Sequence, residues 1–183
     1  MIRRRRRAGR ELVLGGARSG KSRFAEQRLA RAPAVDYVAC GAPPSADDPE
    51  WARRVALHRA RRPSSWRTVE TLDVAGVLRA PGGPALIDCL STWLARTMDE
   101  CGVWTPEPGA DDRLAAAVDD LVAAWTASRR RVIAVSNEVG SGIVPATESG
   151  RRFRDELGVL NARVAAAADG VWLLTAGLPR RLR

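Results

Sequence analysis

Hydrophobic and polar positions along the chain follow two periods, which predict strands and helices in alternation. Short apolar runs bounded by Gly, Pro or Asp predict β-strands, and longer segments with apolar residues every three or four positions predict helices. The predicted strands are 11–15, 35–40, 66–70, 84–89, 131–136 and 170–175. The predicted helices are 22–31, 50–61, 90–100, 113–128 and 147–168, with a polar turn at 106–112.

This alternation of strands and helices indicates an α/β fold, with a mostly parallel sheet and helices on both faces. The length of 183 residues suits one domain with a sizeable core, and no internal repeat is visible. We therefore expect a single domain over 11–179, a basic and disordered N-terminal extension over 1–10, and a basic tail over 180–183.

The chain carries a formal net charge of +9, but the excess is confined to its two ends. Without the arginines of these ends, basic and acidic residues are equal in number, so the body of the domain is neutral. Because a basic stripe with interleaved aromatic residues is also missing from the sequence, we expect no specific nucleic-acid partner. The terminal arginines are Arg3–Arg7, Arg10, Arg180, Arg181 and Arg183.

The cysteines and the apolar runs bear on the cellular compartment. Cys40, Cys89 and Cys101 are odd in number and fit no zinc-binding spacing, which favours a reduced compartment. No apolar run approaches the roughly 18 residues that a membrane-spanning helix needs. We therefore expect a cytoplasmic protein without a membrane span.

Residues 15–22, Gly-Gly-Ala-Arg-Ser-Gly-Lys-Ser, match the phosphate-loop pattern G-x-x-x-x-G-K-[ST] between a predicted strand and a predicted helix. Glycines let successive backbone N–H groups turn toward phosphate oxygens, and the helix N-terminus adds its dipole. Lys21, the only lysine, would act as a catalytic cation at the β- and γ-phosphates, and Ser22 would bind Mg²⁺. The residues predicted to bind the nucleotide are Gly15, Gly16, Ala17, Arg18, Ser19, Gly20, Lys21 and Ser22.

Asp88 ends an apolar strand, which suits a carboxylate that helps to hold the Mg²⁺ of a phosphate-loop protein. A structural alternative exists, because Asp is a favoured N-cap and the predicted helix 90–100 begins just after it. Asn137 and Glu138 follow another strand in the same way. Since the carboxyl ends of parallel strands meet at one edge of a sheet, we expect these residues to lie near the phosphate loop.

His58 is the only histidine, and on the predicted helix 50–61 it shares one face with Glu50 and Arg54. Neutral imidazole is a competent nucleophile toward phosphorus, and the many arginines around it suit a triphosphate. The alternatives are a surface or core histidine and a solvated helix face. The residues alone leave these possibilities open.

Five blocks of the sequence, taken together, point to one enzyme family. They are 12–22, 50–58, 62–70, 86–93 and 136–145. The most specific are Arg-Pro-x-x-Trp-x-Thr-x-Glu at 62–70 and Asn-Glu-Val-Gly at 137–140. Through these blocks, over about 11–179, the chain resembles the bifunctional adenosylcobinamide kinase/adenosylcobinamide-phosphate guanylyltransferase family of cobalamin biosynthesis. Two features depart from the family pattern, namely the arginine run 3–7 and Cys40, where threonine is common.

The resemblance implies a P-loop NTPase fold of the RecA-like, three-layer type. It implies that ATP or GTP phosphorylates adenosylcobinamide, that GTP then guanylylates His58, and that GMP passes to adenosylcobinamide phosphate, giving adenosylcobinamide-GDP. It also implies a corrinoid and a nucleoside triphosphate as ligands, and a homotrimer, while Mg²⁺ as cofactor follows from the phosphate loop and Asp88. The nucleotide-binding residues that it adds to the phosphate loop are Cys40, Gly41, Arg59, Arg61, Arg62, Glu70 and Asp88.

Two other functions remain open from the residues alone. A P-loop small-molecule kinase without covalent guanylylation would need Lys21, Ser22 and Asp88 but not His58. A nucleotide-switched or nucleic-acid-binding module would use the basic ends, and the neutral body of the domain disfavours it. Covalent labelling of the protein by GTP with a labelled α-phosphate would support the bifunctional enzyme against both.

Overall fold

The structure, a computed structural model, describes residues 9–44, 47–105 and 107–183. In these segments the strands are β1 (Arg10–Gly15), β2 (Asp36–Ala39), β3 (Arg67–Glu70), β4 (Ala85–Asp88), β5 (Val132–Asn137), β6 (Gly170–Thr175) and β7 (Leu178–Arg181). The helices are α1 (Lys21–Leu29), α2 (Pro49–Ala60), α3 (Val74–Arg79), α4 (Leu90–Glu100), α5 (Ala110–Ala127) and α6 (Glu148–Ala166). The strands form one sheet in the order β3-β2-β4-β5-β1-β6-β7, and only the β6–β7 pair is antiparallel.

Helices cover both faces of the sheet, and successive strand residues alternate between the two layers. Leu12 packs with buried side chains of α3, α4, α5 and α6, whereas the next residue, Val13, packs with Ala25 and Leu29 of α1. This alternation follows from the two-residue period of a β-strand. The predicted three-layer α/β fold is confirmed.

The sheet brings the carboxyl ends of four strands to one edge. Gly15, the last residue of β1, pairs with Asn137 of β5. Asp88, at the end of β4, pairs with Ala39 of β2 and Val135 of β5. The phosphate loop after β1 therefore lies on the same edge as Asp88 and Asn137, as the sequence predicts.

Helix α2, which carries the only histidine, differs from the other described helices because none of its side chains is buried. It begins at Pro49 after the N-cap Asp48, whose side chain accepts a hydrogen bond from the N–H of Trp51. Both residue types are favoured at these positions. α2 therefore contributes no side chain to the buried core. No helix in the described parts of the chain is long and apolar enough to cross a membrane.

The periodicity predicts neither α3 nor β7. Helix α3 has six residues, too few for a helical period to be visible, and it starts from the N-cap Asp73. Strand β7 follows β6 through a two-residue turn at Ala176 and Gly177, whose φ angles are 51° and 81°. Such positive φ values are typical of tight hairpin turns and favour glycine. Helix α5 also begins at Ala110, inside the predicted polar turn.

The expectation of disordered basic ends is wrong for the part of them that the structure describes. Arg10 is the first residue of β1. The predicted tail 180–183 contributes its first two residues to β7, and Arg183 donates a 2.8 Å hydrogen bond to a carbonyl near the end of α6. Backbone pairing with β6 orders this segment despite its charge. Residues 1–8 lie outside the described residues.

Arg130 joins several segments near the amino ends of the strands. Its guanidinium donates to the carbonyl oxygens of Gly83 (2.7 Å) and Val77 (2.8 Å) and forms an ion pair with Asp36. Burial by itself would raise the pKa of Asp36, but hydrogen bonds from Arg67 and Arg130 hold that pKa below its usual value. Asp36 therefore stays charged in the folded protein.

Arg130→Ala should lower the free energy of unfolding by about 3 kcal/mol at pH 7, because it leaves two carbonyls without this donor and removes one of the two arginines that pair with a largely buried carboxylate. Arg129→Ala, at the exposed neighbouring position, is the control and should change it by less than about 0.5 kcal/mol. Since the folded-state pKa of Asp36 is depressed, the deficit should shrink as the pH falls below about 4. Urea denaturation at pH 7 and pH 3 measures both effects, and equal stabilities of the two variants would contradict the prediction.

Candidate active site

A cavity opens at the carboxyl edge of the sheet, between the start of α1, the ends of β2, β3 and β4, and helix α2. We call it the rim cavity. The predicted site residues that line it are Lys21, Ser22, Gly41, His58, Arg59, Arg62, Glu70 and Asp88. Arg54 and Asn137, predicted to lie nearby, line it as well. The polar and aromatic lining residues to which the sequence assigned no role in the site are Tyr37, Trp51, Thr68, Cys89 and Thr92.

The phosphate loop 15–22 folds closely over the end of β1. A Cβ on Gly15 would lie 2.5 Å from Ser19 Oγ and 2.7 Å from the carbonyl oxygen of Leu174. Gly20, the N-cap of α1, has a φ of 90°, which only glycine adopts without strain. The loop residues that border a neighbouring cleft, rather than the rim cavity, are Arg18, Ser19 and Gly20.

Lys21 is a buried cation in this loop. Its Nζ donates a 3.0 Å hydrogen bond to the carbonyl oxygen of Gly16. Burial lowers the pKa of Lys21, and the nearby charge of Arg54 acts in the same direction while that of Asp88 opposes it. The hydrogen bond to Gly16 holds the ammonium group of Lys21 against the phosphate loop, where the sequence predicts that phosphates bind.

The carboxylate of Asp88 contacts three different elements. Oδ1 accepts a 3.2 Å hydrogen bond from Ser22 Oγ of α1. Oδ2 accepts a hydrogen bond from the Tyr37 hydroxyl of β2 and lies 3.4 Å from His58 Nδ1 of α2. Burial by itself would raise the pKa of Asp88, but hydrogen bonds from His58, Tyr37 and Ser22 hold it below its usual value. Asp88 is therefore charged, although only 8% of its side chain is exposed.

Asp88 does not cap the helix that follows it. The N-cap of α4 is Cys89, and its side chain makes no capping hydrogen bond. The Cys89 Sγ lies 3.0 Å from both Ser91 Oγ and Thr92 Oγ1. The structural alternative for Asp88, an N-cap role, is therefore wrong.

Arginines at the end of α2 point to two different sides. Arg59 forms an ion pair with Glu70 at the end of β3, within the rim cavity. Arg61, the C-cap residue, lies 3.4 Å from Glu26 of α1 and does not line the rim cavity. The resemblance groups Arg59, Arg61 and Arg62 as nucleotide contacts, and the structure separates Arg61 from the other two because it pairs with α1.

Arg62 and Tyr37 form a stacked pair in the cavity wall. The guanidinium carbon of Arg62 lies 3.3 Å from the centroid of the Tyr37 ring, and its Nη1 donates a 3.0 Å hydrogen bond to Thr68 Oγ1. Burial raises the pKa of Tyr37, and the charge of Asp88 adds to this effect. The Tyr37 hydroxyl therefore remains a hydrogen-bond donor to Asp88.

The segment after β2 does not present the Cys40 thiol to the cavity. Cys40 is fully buried, burial raises the pKa of its thiol well above the usual value, and its carbonyl accepts a 3.2 Å hydrogen bond from Arg96. The prediction that Cys40 contacts the nucleotide is therefore wrong for its side chain. Gly41 does line the cavity, and the Trp51 ring packs where a Cβ of Gly41 would lie. Trp51 Nε1 donates a 2.8 Å hydrogen bond to the carbonyl oxygen of Ala42.

Compared with known proteins, the chain matches one family over nearly its whole length. The model of the family described as "Cobinamide kinase / cobinamide phosphate guanyltransferase" matches residues 11–182. The chain belongs to this family. The bifunctional adenosylcobalamin biosynthesis protein CobP of Pseudomonas aeruginosa is 41% identical over 179 residues, covering 95% of this chain and 97% of that protein. The bifunctional adenosylcobalamin biosynthesis protein CobU of Salmonella typhimurium is 39% identical over 183 residues, covering 94% of this chain and 98% of that protein.

Solved structures of more distant proteins show the fold alone. A prototypical ATPase of a type III secretion system has a TM-score of 0.60 at 15% identity, covering 92% of this chain and 52% of that chain. The ATP synthase subunit NeqB of Nanoarcheaum equitans has a TM-score of 0.53 at 12% identity, covering 92% of this chain and 46% of that chain. This chain therefore spans about half the length of each. The P-loop NTPase fold that the resemblance implies is confirmed.

Mg²⁺ fits the side chains that this member of the cobinamide kinase family presents. Ser22 Oγ and Asp88 Oδ1 are hard oxygen atoms that meet at 3.2 Å, beside the phosphate loop. Within the described segments no group of three or more His, Cys, Asp or Glu side chains could hold a metal ion by itself. Ser22 and Asp88 would therefore supply a small part of the ligands, as is usual for Mg²⁺ at nucleotide phosphates.

Of two cavity residues that the sequence analysis missed, one could have been predicted from the sequence and the other could not. Tyr37 is the only tyrosine and lies in an apolar strand, where a buried hydroxyl needs a hydrogen-bond partner. Trp51 packs against Gly41 through a tertiary contact, which no local spacing indicates. Glu138, predicted at the rim beside Asn137, instead accepts hydrogen bonds from the loop that follows it.

Gly41→Ala should displace the Trp51 ring and with it the start of α2, because the added Cβ has no room. We expect the dissociation constant for GTP to rise about 10-fold, equivalent to about 1.4 kcal/mol. Gly158→Ala on α6 is the matched control, since its added Cβ meets nothing within 4 Å. Titration calorimetry measures both, and an unchanged affinity in Gly41→Ala would show that binding does not depend on the position of Trp51.

Proposed function

We propose that this chain phosphorylates adenosylcobinamide with ATP or GTP and then transfers GMP from GTP to adenosylcobinamide phosphate through a guanylyl-histidine. The observation that supports this most is the 3.4 Å distance between His58 Nδ1 and Asp88, whose carboxylate also accepts a hydrogen bond from Ser22 of the phosphate loop. A candidate nucleophile and a triphosphate site thereby share one cavity. The names of the relatives, bifunctional adenosylcobalamin biosynthesis proteins, agree with two activities.

In the kinase step, we assign the β- and γ-phosphates to the phosphate loop 15–22. Its backbone N–H groups and the cation of Lys21 would offset the negative charge of the transferred phosphoryl group. Bound Mg²⁺, held through Ser22 and Asp88, would neutralise further phosphate charge. The phosphoryl group passes directly to a hydroxyl of adenosylcobinamide, so this step needs no protein nucleophile.

In the guanylyl step, Asp88 determines which nitrogen of His58 is free to react. Because Nδ1 faces the carboxylate, it carries the proton, and Nε2 keeps its lone pair for attack. Attack of Nε2 on the α-phosphorus of GTP forms the P–N bond and breaks the bond to the β-phosphate, so that pyrophosphate leaves. The cationic imidazole ring keeps its Nδ1–H toward Asp88, which stabilises the new charge.

The far wall of the rim cavity suits recognition of the GTP base. We assign this role to Glu70 and Arg62, which line the cavity near the end of β3 and the end of α2. A carboxylate accepts hydrogen bonds only, and guanine offers neighbouring N–H donors that adenine lacks. Arg59, paired with Glu70, would orient that carboxylate.

A small-molecule kinase without covalent guanylylation is the second candidate. It would use Lys21, Ser22 and Asp88 in the same way, but it gives the contact between His58 and Asp88 no function. The corrinoid acceptor, the homotrimer and the cytoplasmic location implied by the resemblance stay predictions.

With GTP labelled at the α-phosphate, the wild-type protein should become covalently labelled and His58→Ala should not, because the chain has no other histidine. His58→Ala should keep its kinase activity within a few fold, whereas Lys21→Ala should lose about 100-fold or more of it. The adduct should be acid-labile and base-stable, and ¹⁵N NMR should place the phosphorus on Nε2. Label retained by His58→Ala would move the nucleophile elsewhere.

Tyr37→Phe tests the support that Asp88 gives to His58. The change keeps the ring beneath Arg62 but removes the hydrogen bond to the Asp88 oxygen that faces His58. Formation of the adduct should slow about 10-fold, as expected for the loss of a hydrogen bond to a charged group, while kinase activity changes less. Rapid-quench labelling and a kinase assay measure the two rates, and equal losses would show that Tyr37 supports the whole cavity.

A further inference from the structure

A second cleft lies beside the rim cavity, between the phosphate loop and α2. We call it the basic cleft. The cationic side chains that line it are Arg18, Lys21, Arg23, Arg53, Arg54 and Arg61. Glu50 is the one carboxylate among its described lining residues. The proposed function gives no role to Arg23 or Arg53, although both are exposed in this cleft.

The protein neutralises only part of this charge, through the pair of Arg61 with Glu26. On the opposite face of the sheet, helix arginines pair with carboxylates, as Arg163 does with Asp119 at 2.7 Å. Among the residues that the structure describes, the side chains of Arg18, Arg23 and Arg53 have neither a hydrogen bond nor an ion pair. Like charges held close together repel each other, and a bound anion would relieve that repulsion. The basic cleft is therefore suited to an anionic ligand.

The rim cavity and the basic cleft share part of their walls. The residues that line both are Lys21, Ser22, Arg54 and His58. His58 thus borders both spaces, and 22% of its side chain is exposed. A nucleophile that takes a group from one ligand and gives it to another has to be reached by both.

In the second step of the guanylyl transfer, the acceptor that takes GMP from His58 is itself an anion, a phosphate monoester. A phosphate monoester carries between one and two negative charges at pH 7, and guanidinium groups bind it through paired hydrogen bonds. An in-line displacement requires its oxygen to approach the phosphorus opposite Nε2, from the side by which pyrophosphate has left. The basic cleft opens beside the phosphate loop, where pyrophosphate would have been held.

We propose that the basic cleft binds the phosphate monoester of the acceptor in the second step, with Arg23 and Arg53 as contacts. This inference rests on the proposed function, because it needs a guanylyl group on His58. An oxygen of the acceptor phosphate forms a bond to the guanylyl phosphorus, the P–N bond breaks, and its electron pair returns to Nε2. The step consumes no further reactant. Pyrophosphate, which has the same chemistry, is the other anion that the test has to distinguish.

The test compares two double variants of equal net charge. Arg23→Gln/Arg53→Gln removes the two contacts, and Arg31→Gln/Arg129→Gln removes two exposed arginines that line neither space. Each protein is guanylylated with labelled GTP, freed of nucleotide, and mixed with adenosylcobinamide phosphate, adenosylcobinamide or pyrophosphate over a range of concentrations. Loss of label from the protein gives the discharge rate, and the amount of adduct shows that the variant is folded and active.

For Arg23→Gln/Arg53→Gln, the concentration of adenosylcobinamide phosphate that gives half-maximal discharge should rise about 10-fold or more. For the control double variant it should stay within about 2-fold, and adenosylcobinamide without phosphate should discharge neither protein. An unchanged value for adenosylcobinamide phosphate would overturn the proposal, and a change for pyrophosphate alone would assign the cleft to that leaving group. The single variants Arg23→Gln and Arg53→Gln replace the double variant if it forms no adduct. If the wild type forms no adduct, the proposed function itself is wrong.

Discussion

Burial of a carboxylate is costly unless hydrogen-bond donors surround it, and Asp88 places this demand on three segments that are distant in sequence. Ser22 approaches it from α1, Tyr37 from β2 and His58 from α2. Each of them brings its own neighbours: the phosphate loop, the stacked guanidinium of Arg62, and a helix rich in arginine. The position of this one charge therefore fixes the walls of the rim cavity.

The two oxygens of this carboxylate face different chemistry. Oδ1 accepts from Ser22 beside the phosphate loop, and Oδ2 faces both Tyr37 and His58. In the proposed function, one oxygen thus serves transfer of a terminal phosphoryl group, and the other orients the imidazole that takes a nucleotidyl group. A change at Asp88 affects both reactions, whereas a change at Tyr37 reaches only one oxygen directly. In this way one small domain can present both the phosphate loop and His58 to a nucleoside triphosphate.

The local sequence pattern predicts the place and role of a residue correctly where its surroundings are determined by its own segment of the chain. Strands buried on both faces, such as β5, are visible as apolar runs, and the phosphate loop and Asp88 follow from the strands that they end. β7, with the sequence Leu-Pro-Arg-Arg, has no apolar run and exists because β6 offers a free edge. Cys40 and Trp51 were misjudged or missed for the same reason, since their roles depend on which segments become neighbours.

The net charge of the body of the domain is zero, but its positive and negative charges are distributed unevenly. α2 buries none of its side chains, so packing places no demand for apolar residues on it, and it carries arginines at four of its last nine positions, counting the C-cap. α5, on the opposite face of the sheet, carries the carboxylates Asp111, Asp112, Asp119 and Asp120, and three of them pair with arginines of α3 and α6. The sheet keeps these two groups apart, so the positive charge around His58 is cancelled only in part, by carboxylates such as Glu70 and Glu26. The net charge of the body argues against a nucleic-acid surface for the domain as a whole. It could not reveal the basic cleft, because a ligand responds to the charge close to it.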